Sequence, residues 1–316
     1  MNFAPIILFV YNRPWHTQQT VEALLKNFEA YKSDLYIFAD GLKYTATEKQ
    51  SIDFHKTREY IHTISGFKSV TIIESKKNQG LGNSIINGVT KTLEKHDSII
   101  VLEDDVIVSS HFLRFMNESL CRYQDKEQVI CVNGYNIISE SKVKESTFFI
   151  RGGDCQGWGT WKRAWKQFNP NAKELLDYMN THQRMQRDYT FNRTMYYMDL
   201  LLAVVEGKND SWAIRWYTST FIKGGLCLYP TKSLTQNIGF GEEATNTKSS
   251  KQDIVYTRIK ASEEYVEYTN IPLVESKIAR RELESIYRSL NYYPKVTLVK
   301  MIKRYIKKHI KKKCEL

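Results

Sequence analysis

The sequence predicts an α/β protein whose centre is a mostly parallel β-sheet flanked by helices. Strand-like and helix-like segments alternate four times between residues 5 and 102, which is typical of a doubly wound sheet. The fourth strand-like segment is apolar at four consecutive positions, 99–102. Such an unbroken apolar run is typical of a strand that is buried on both faces.

Each element is identified by the spacing of its apolar residues. Short apolar runs bounded by polar residues predict strands at residues 5–11, 34–39, 69–73, 98–102 and 129–133. Apolar residues that recur every three or four positions, as at Ile85, Val89 and Leu93, predict helices. These helices cover residues 17–28, 47–64, 81–93 and 111–123.

The second half of the chain has a different character, because aromatic residues crowd it after residue 140. We predict a helix there at residues 190–205. The spacing of Trp158, Trp161 and Trp165 fits one helical face turned to the core, but Trp158 stands between two glycines and is expected at a site. The chain therefore divides into an α/β half (1–140), an aromatic-rich half packed on it (141–294) and a tail (295–316).

Composition restricts the class of protein. The 316 residues are 42% hydrophobic and 26% charged, which is ordinary for a globular protein. No window reaches the roughly 18 uncharged apolar residues of a membrane span, and the N-terminal segment has the pattern of a strand and not of a secretory signal. The five cysteines are widely spaced and include no CxxC pair, which favours a reducing cytoplasm over a disulfide framework or a zinc site.

The net charge of +11 is concentrated in the tail, where nine lysine or arginine residues and one glutamate follow position 294. The rest of the chain is nearly neutral and is not expected to bind nucleic acid. Val299, Ile302, Ile306 and Ile310 share one helical face, which predicts a basic amphipathic helix suited to an anionic membrane surface. We expect a protein peripheral to the inner face of the plasma membrane; a solvated tail or an RNA contact is the alternative.

Polar residues follow the first three strands: Arg13, then Asp40, then Asn78 and Gly80. Singly, each has a plain structural explanation, since Arg13 precedes a proline at a helix start and Asp40 begins a common turn. The glycines near Gly80 match neither a Rossmann fingerprint nor a Walker loop, although they would let backbone N–H groups approach a diphosphate. Because the carboxyl ends of parallel strands meet at one edge, together they predict a nucleotide cleft.

Three adjacent acids, Glu103, Asp104 and Asp105, follow the fourth strand. They would repel one another unless a cation lies among them. A hard divalent cation, Mn²⁺ or Mg²⁺, that also holds a phosphate would relieve this repulsion. An acidic surface turn is the alternative interpretation.

Six segments occur in a characteristic order: residues 10–14, 38–41, 78–82, 102–106 (with Phe112), 157–161 and 209–216. Together they resemble the GT-A glycosyltransferases, and most of all the family-2-type enzymes and the N-acetylglucosaminyltransferase I group. The resemblance covers residues 4–240. It implies a GT-A (Rossmann-like) fold in which the aromatic-rich half takes the acceptor.

The resemblance also implies roles for the nucleotide-side residues. Asp105 would bind the metal directly, while Glu103 and Asp104 would face the ribose and the donor sugar. Asp40 would bind uracil, with Arg13 beside it.

On the acceptor side, the resemblance implies that the loop with Trp158 shapes the donor-sugar and acceptor pocket. It also implies that Asp210 lies in the stretch that supplies a catalytic base. The chemistry requires such a carboxylate, because an acceptor hydroxyl must lose its proton as it attacks the anomeric carbon. Arg215 would help to stabilise the diphosphate. The alternatives are a helix-capping role for Asp210, and Glu206 or Asp199 as the base.

One departure concerns residues 237–247. Related bacterial sequences often continue from Asn-Ile-Gly to Gly-Thr-His, whereas this stretch contains no histidine. If that histidine assists the metal or the diphosphate in relatives, metal dependence or donor type would differ here.

We therefore expect an inverting, metal-dependent glycosyltransferase that moves a sugar from a nucleotide donor, with UDP favoured, to a glycan acceptor. A lipid-linked acceptor in bacterial surface polysaccharide synthesis fits the tail. The alternative is a non-enzymatic α/β protein that binds RNA or anionic lipid through the tail. A sugar nucleotidyltransferase would need a Gly-rich basic loop after the first strand, which residues 11–14 do not supply.

Overall fold

The computed structural model describes residues 3–239 and 257–290, and it confirms the predicted α/β fold with a largely parallel central sheet. The strands are β1 (Ile6–Val10), β2 (Asp34–Ala39), β3 (Ser69–Glu74), β4 (Ser98–Glu103), β5 (Val106–Val108), β6 (Val129–Asn133), β7 (Thr147–Arg151), β8 (Trp158–Trp161), β9 (Leu226–Pro230) and β10 (Thr235–Asn237). The helices are α1 (Pro14–Leu25), α2 (Glu48–Ile61), α3 (Leu81–Lys95), α4 (Phe112–Arg122), α5 (Lys162–Trp165), α6 (Ala172–Thr181), α7 (Gln183–Tyr189), α8 (Tyr197–Val205), α9 (Trp212–Ile222) and α10 (Lys277–Ser289).

Eight strands form one sheet in the order β3-β2-β1-β4-β8-β6-β9-β7, and β5 pairs with β10 in a separate ribbon. Strands β1 to β4 are mutually parallel, while β8 runs antiparallel to both β4 and β6. The register pairs Phe9 with Glu103 and Val10 with Ala39. The carboxyl ends of these strands therefore lie side by side, as the nucleotide-cleft prediction requires.

Burial explains why these segments form the centre of the sheet. Every residue of β1 is buried, and so are residues 99–102 of β4. Helix α3 packs closely on this centre through Gly88, where a Cβ would come within 2.7 Å of the Phe9 ring. This close approach sets the N-terminus of α3 at the sheet edge where the site forms.

Two helices begin more than one residue away from their predicted first residue. Helix α1 begins at Pro14, because proline at the first helical position has the required φ and no N–H to satisfy. The helix predicted at residues 190–205 begins only at Tyr197. Phe191, Asn192 and Arg193 have left-handed φ values of 47°, 54° and 64°, which interrupt any helix there.

The tryptophan stripe is also different from the prediction of one helical face. Trp158 and Trp161 are the ends of strand β8, and Trp165 closes the short helix α5. The three indoles are nevertheless buried, as expected for Trp161 and Trp165.

Strands from both sides of residue 140 share the main sheet, because β7, β8 and β9 extend the sheet that β1 to β4 begin. The proposed division at residue 140 stays a prediction. The tail, residues 295–316, lies outside the described residues. Among the residues that are described, no helix has the length and apolarity needed to cross a bilayer.

Candidate active site

The three acids at the end of β4 meet Arg13 at the start of α1. The Arg13 guanidinium donates to Asp105 Oδ2 at 2.9 Å, and both side chains are largely shielded from solvent. Arg13 also acts electrostatically on Glu103 and Asp104, lowering the pKa of each. The sequence predicted that Arg13 and the three acids lie at the same edge of the sheet, and in the structure they do.

The positive charge of Arg13 does not compensate for the burial of the acids. Burial, followed by repulsion from Asp105, raises the pKa of Glu103 to about 8 and that of Asp104 to about 7. The end of β4 therefore has a deficit of positive charge near neutral pH.

A second strand pair encloses Asp105. Asn237 is paired with Val106 in the β5–β10 ribbon, and its Nδ2 lies 3.3 Å from Asp105 Oδ1. The backbone N–H of Ile238 donates to the Asp105 carbonyl at 2.8 Å, and a Cβ at Gly239 would collide with the Asp105 carboxylate. The Asn-Ile-Gly segment is thus part of the site, although residues 240–247 of that stretch lie outside the described part of the chain.

The metal prediction can be compared with the donor groups present. Within residues 3–239 and 257–290, no three His, Cys, Asp or Glu side chains form a group that could hold a metal ion. Asp105 supplies one carboxylate, and Mg²⁺ in proteins is commonly held by one or two carboxylates together with substrate phosphates. The residues fit a metal that binds with a diphosphate and shares Asp105 with Arg13; they do not fit a closed protein cage.

Asp40 organises the loop after β3. Its carboxylate accepts from the backbone N–H groups of Gly41 (2.8 Å), Gln79 (2.9 Å) and Gly80 (3.0 Å) and from Asn78 Nδ2 (3.0 Å). These four donors use the acceptor capacity of a carboxylate. Contact with uracil, which the resemblance implied for Asp40, would require one donor to leave.

The loop after β3 does not offer a diphosphate the backbone N–H donors that were predicted for it. The N–H groups of Gln79 and Gly80 point to Asp40, and Asn78 Nδ2 also donates to the Gly41 carbonyl at 2.7 Å. Gly80 has φ 79°, a conformation that favours glycine, directly before α3. These groups shape the loop and do not present free donors to a ligand.

Arg58, on α2, is a positioning residue that sequence reasoning missed. Its Nη2 donates to the carbonyls of Ala39 (3.2 Å), Asp40 (2.9 Å) and Ser75 (3.3 Å). Its Nη1 pairs with Glu74 at 2.6 Å. Arg58 therefore joins the carboxyl ends of β2 and β3, a role that only the packing of α2 on the sheet could reveal.

Asp210 lies at the N-terminus of α3, beside the Asp40 loop. A Cβ at Gly82 would be 2.6 Å from Asp210 Oδ2, so the glycine leaves room for this carboxylate. Oδ1 pairs with Arg215 Nη2 at 3.0 Å, and the Asp210 side chain is 55% exposed. Because Ser211 provides the N-cap of α9 by accepting from Ile214 N, the capping alternative for Asp210 is wrong.

Arg215 is buried and is held by its own loop. Its guanidinium donates to the carbonyls of Ser211 (3.2 Å) and Asp210 (3.3 Å) as well as to the Asp210 carboxylate. The structure shows Arg215 holding Asp210, and the role of Arg215 in stabilising a diphosphate stays a prediction. Of the rival bases, Glu206 pairs with Lys208, and Asp199 is exposed on α8.

Trp158 does not have the site position that the sequence predicted. Its side chain is 1% exposed, and its ring packs against Trp165, Trp212 and Trp216 with centroids 5.3 to 6.1 Å apart. The ring therefore has no open face for a sugar. Because Trp158 pairs with Val101 in the sheet, its ring faces the core. The flanking glycines did not indicate this orientation.

Sequence reasoning also missed the loop before β8. Asp154 there accepts from the Tyr229 hydroxyl at 2.7 Å and from Cys155 N at 2.6 Å, and burial raises the pKa of its carboxyl. Asp154 and Gln156 line a cavity of about 200 Å³. The acid between Gly153 and Cys155 was visible in the sequence, but the strand that follows it was not predicted.

No protein-family model matches the chain, and no curated protein sequence matches it either. Among solved structures, the chain is similar to mannosyltransferase PcManGT from Pyrobaculum calidifontis, in complex with GDP-Man and Mn²⁺, at 12% identity and a TM-score of 0.34, over 56% of this chain and 46% of that one. TarS from S. aureus aligns at 12% identity and a TM-score of 0.33, over 54% of this chain and 30% of TarS. UDP-glucose pyrophosphorylase complexed with UDP-glucose aligns at 13% identity and a TM-score of 0.35, over 72% and 90%. The matched part is less than half of the length of PcManGT and of TarS.

Proposed function

We propose that this protein is an inverting, metal-dependent glycosyltransferase that uses a nucleotide sugar, with UDP as the favoured nucleotide. One observation carries the proposal: Glu103, Asp104 and Asp105 meet at the carboxyl end of a central parallel strand, with Arg13 as an insufficient countercharge. Ligands of open α/β sheets bind at this edge. A divalent cation that carries a diphosphate would supply the missing positive charge.

The proposed mechanism assigns distinct tasks to this chain's residues. Asp105 would hold the metal, and Arg13 offsets part of the charge of the acids. A divalent metal bound there would supply Lewis-acid stabilisation of a departing diphosphate. Asp210 takes the proton of the acceptor hydroxyl as it attacks, and Arg215 keeps that carboxylate oriented. One displacement at the anomeric carbon gives inversion.

The experiment is a thermal-shift panel of UDP, GDP, CMP and dTDP, each with and without Mn²⁺, on the wild type and Asp105→Ala. A ligand at about 100 times its dissociation constant adds roughly 2.7 kcal/mol of stability. We expect a metal-dependent shift with UDP that Asp105→Ala loses. The unliganded variant should still melt cooperatively, because the loss of the Arg13–Asp105 ion pair and the relief of repulsion among the acids act in opposite directions.

A cooperative melt without a shift from any nucleotide would contradict the proposal. It would favour the second hypothesis, a non-enzymatic protein that binds RNA or anionic lipid through its tail, whose binding would fall steeply with salt. The proposed acceptor is a glycan, lipid-linked and part of bacterial surface polysaccharide synthesis. The proposed location is the inner face of the plasma membrane, with the tail on anionic lipid.

A further inference from the structure

The cavity of about 200 Å³ lies in the aromatic-rich half of the chain. Helices α8, α9 and α10 form one side of it, and strands β7 and β9 form the other. Seven aromatic side chains contribute to its wall: Tyr135, Phe148, Phe191, Tyr197, Tyr217, Tyr229 and Tyr287. Its size gives room for one sugar ring and not for an extended chain.

The cavity adjoins the candidate active site on the side away from the nucleotide loops. Pairing of Val101 with Trp158 places the loop of Asp154 and Gln156 beside the end of β4, and Ser211 in the opposite wall is the neighbour of Asp210. None of the described residues that line the cavity belongs to the loops at 11–13, 40–41, 78–82 or 103–105. The cavity is therefore separate from the nucleotide loops, and it reaches the neighbourhood of Asp210 through Ser211, while Asp210 itself lines a second cavity with Arg215.

One polar group of the cavity wall is an acceptor that needs a hydrogen-bond donor. Gln156 Oε1 is buried and has no hydrogen-bond partner among the described residues. Asp154 lies next to it in the wall. A buried acceptor without a partner is destabilising, so a hydroxyl or amide donor from a ligand would complete the site.

The charges of the wall exclude a phosphorylated occupant. Of the described residues that line the cavity, none is lysine, arginine or histidine, and Asp154 is the one acid. An aliphatic occupant would leave Gln156 unpartnered. The occupant must therefore carry no phosphate and must donate a hydrogen bond to Gln156. A neutral sugar ring meets both requirements, because its C–H faces suit aromatic walls and its edge carries hydroxyl donors.

We propose that this cavity is the subsite for a neutral saccharide unit of the acceptor, with Gln156 recognising one of its hydroxyl groups. The proposal rests on the proposed function, since it assigns the acceptor side of that same site. It makes Gln156 a specificity-determining residue outside the acids and loops of the donor side.

The test is saturation-transfer NMR with the methyl glycosides of glucose, galactose, mannose and N-acetylglucosamine, recorded with UDP and Mn²⁺ present. We expect at least one glycoside to bind the wild type, and Gln156→Leu to weaken its binding by about tenfold or more. The unliganded Gln156→Leu variant should melt at or above the wild-type temperature, because leucine removes the unpartnered acceptor. Gln128→Leu is the same change at an exposed position on the opposite edge of the sheet. It should alter neither the binding of the glycoside nor the melting temperature.

The outcomes separate the two proposals. UDP binding without any glycoside binding, or glycoside binding that Gln156→Leu leaves unchanged, overturns the saccharide subsite alone. Glycoside binding without nucleotide binding overturns the proposed function alone. A Gln156→Leu variant that melts well below the wild type shows a structural role and also overturns the subsite. Leu200→Phe, which narrows the cavity without touching its polar groups, should weaken the same glycoside.

Discussion

Glu103 and Asp104 are carboxyls that the fold pushes toward their neutral form. Burial is the larger cause, and Asp105 adds repulsion. The unfolded chain ionises these groups near their ordinary pKa values, below 5, whereas the folded chain retains their protons to higher pH. Their contribution to stability is therefore complete in acid and is lost as the pH rises toward about 8.

Glu103→Gln tests the part of this pH dependence of stability that belongs to one residue. The free energy of unfolding of the wild type, relative to Glu103→Gln, should fall between about pH 5 and pH 8 and level off above. Chemical denaturation of both proteins across that range, without metal, measures the difference. A difference that stays flat with pH would mean that Glu103 ionises normally. Glu140→Gln, at an exposed acid, is the control.

At the level of elements, helix α3 connects the two sides of the candidate site. Its N-cap is Gly80, whose N–H donates to Asp40. Two residues later, the absence of a side chain at Gly82 leaves room for the carboxylate of Asp210, which belongs to the loop before α9. The distance between the nucleotide side and the proposed base therefore depends on the absence of a side chain at one helical position.

Gly82→Ala should displace Asp210, since the new Cβ would lie 2.6 Å from Oδ2 and 2.5 Å from the Asp210 carbonyl oxygen. A shift of about 1 Å in a reacting group can cost roughly a hundredfold in rate. We expect kcat to fall by about that factor while the KM for the nucleotide sugar changes little. Asp210→Asn should reproduce the loss, and Asn83→Ala, exposed on the next position of α3, should not. Full activity of Gly82→Ala would remove Asp210 from the mechanism.

At the level of the whole molecule, charge is distributed unevenly along the chain. Most of the net charge of +11 belongs to residues 295–316, which follow the described part of the chain. Basic residues near an anionic membrane contribute about 1 kcal/mol each. The proposed contact with a membrane therefore depends on the tail and not on the α/β sheet.

Deletion of residues 295–316 should abolish co-sedimentation with phosphatidylserine vesicles and leave the nucleotide-dependent thermal shift intact. A variant in which Ile302, Ile306 and Ile310 are changed to Ser keeps the charge but loses the apolar face. It should bind more weakly than the wild type and show a steeper dependence on salt. Unchanged vesicle binding after the deletion would contradict the membrane proposal.

The sequence by itself determined the parallel part of the sheet, strands β1 to β4, and the membership of the acid cluster. The apolar run before Glu103 is typical of a buried strand, and parallel pairing then brought Arg13, Asp40 and Asn78 to the same edge as the acids. These predictions depend on local patterns and on the rule that parallel strands end together. They hold because side-chain period and burial are properties of short segments.

Only the tertiary structure decided which of these groups remain available to a ligand. It showed that Asp40 is fully hydrogen-bonded, that Arg215 serves Asp210 and that the Trp158 ring faces the core. It also revealed Arg58, which joins the ends of β2 and β3, and Gln156, whose buried Oε1 has no hydrogen-bond partner among the described residues. Sequence spacing indicates the position of a residue along a strand or helix. The hydrogen bonds and the burial of its side chain depend on neighbours that only the folded chain supplies.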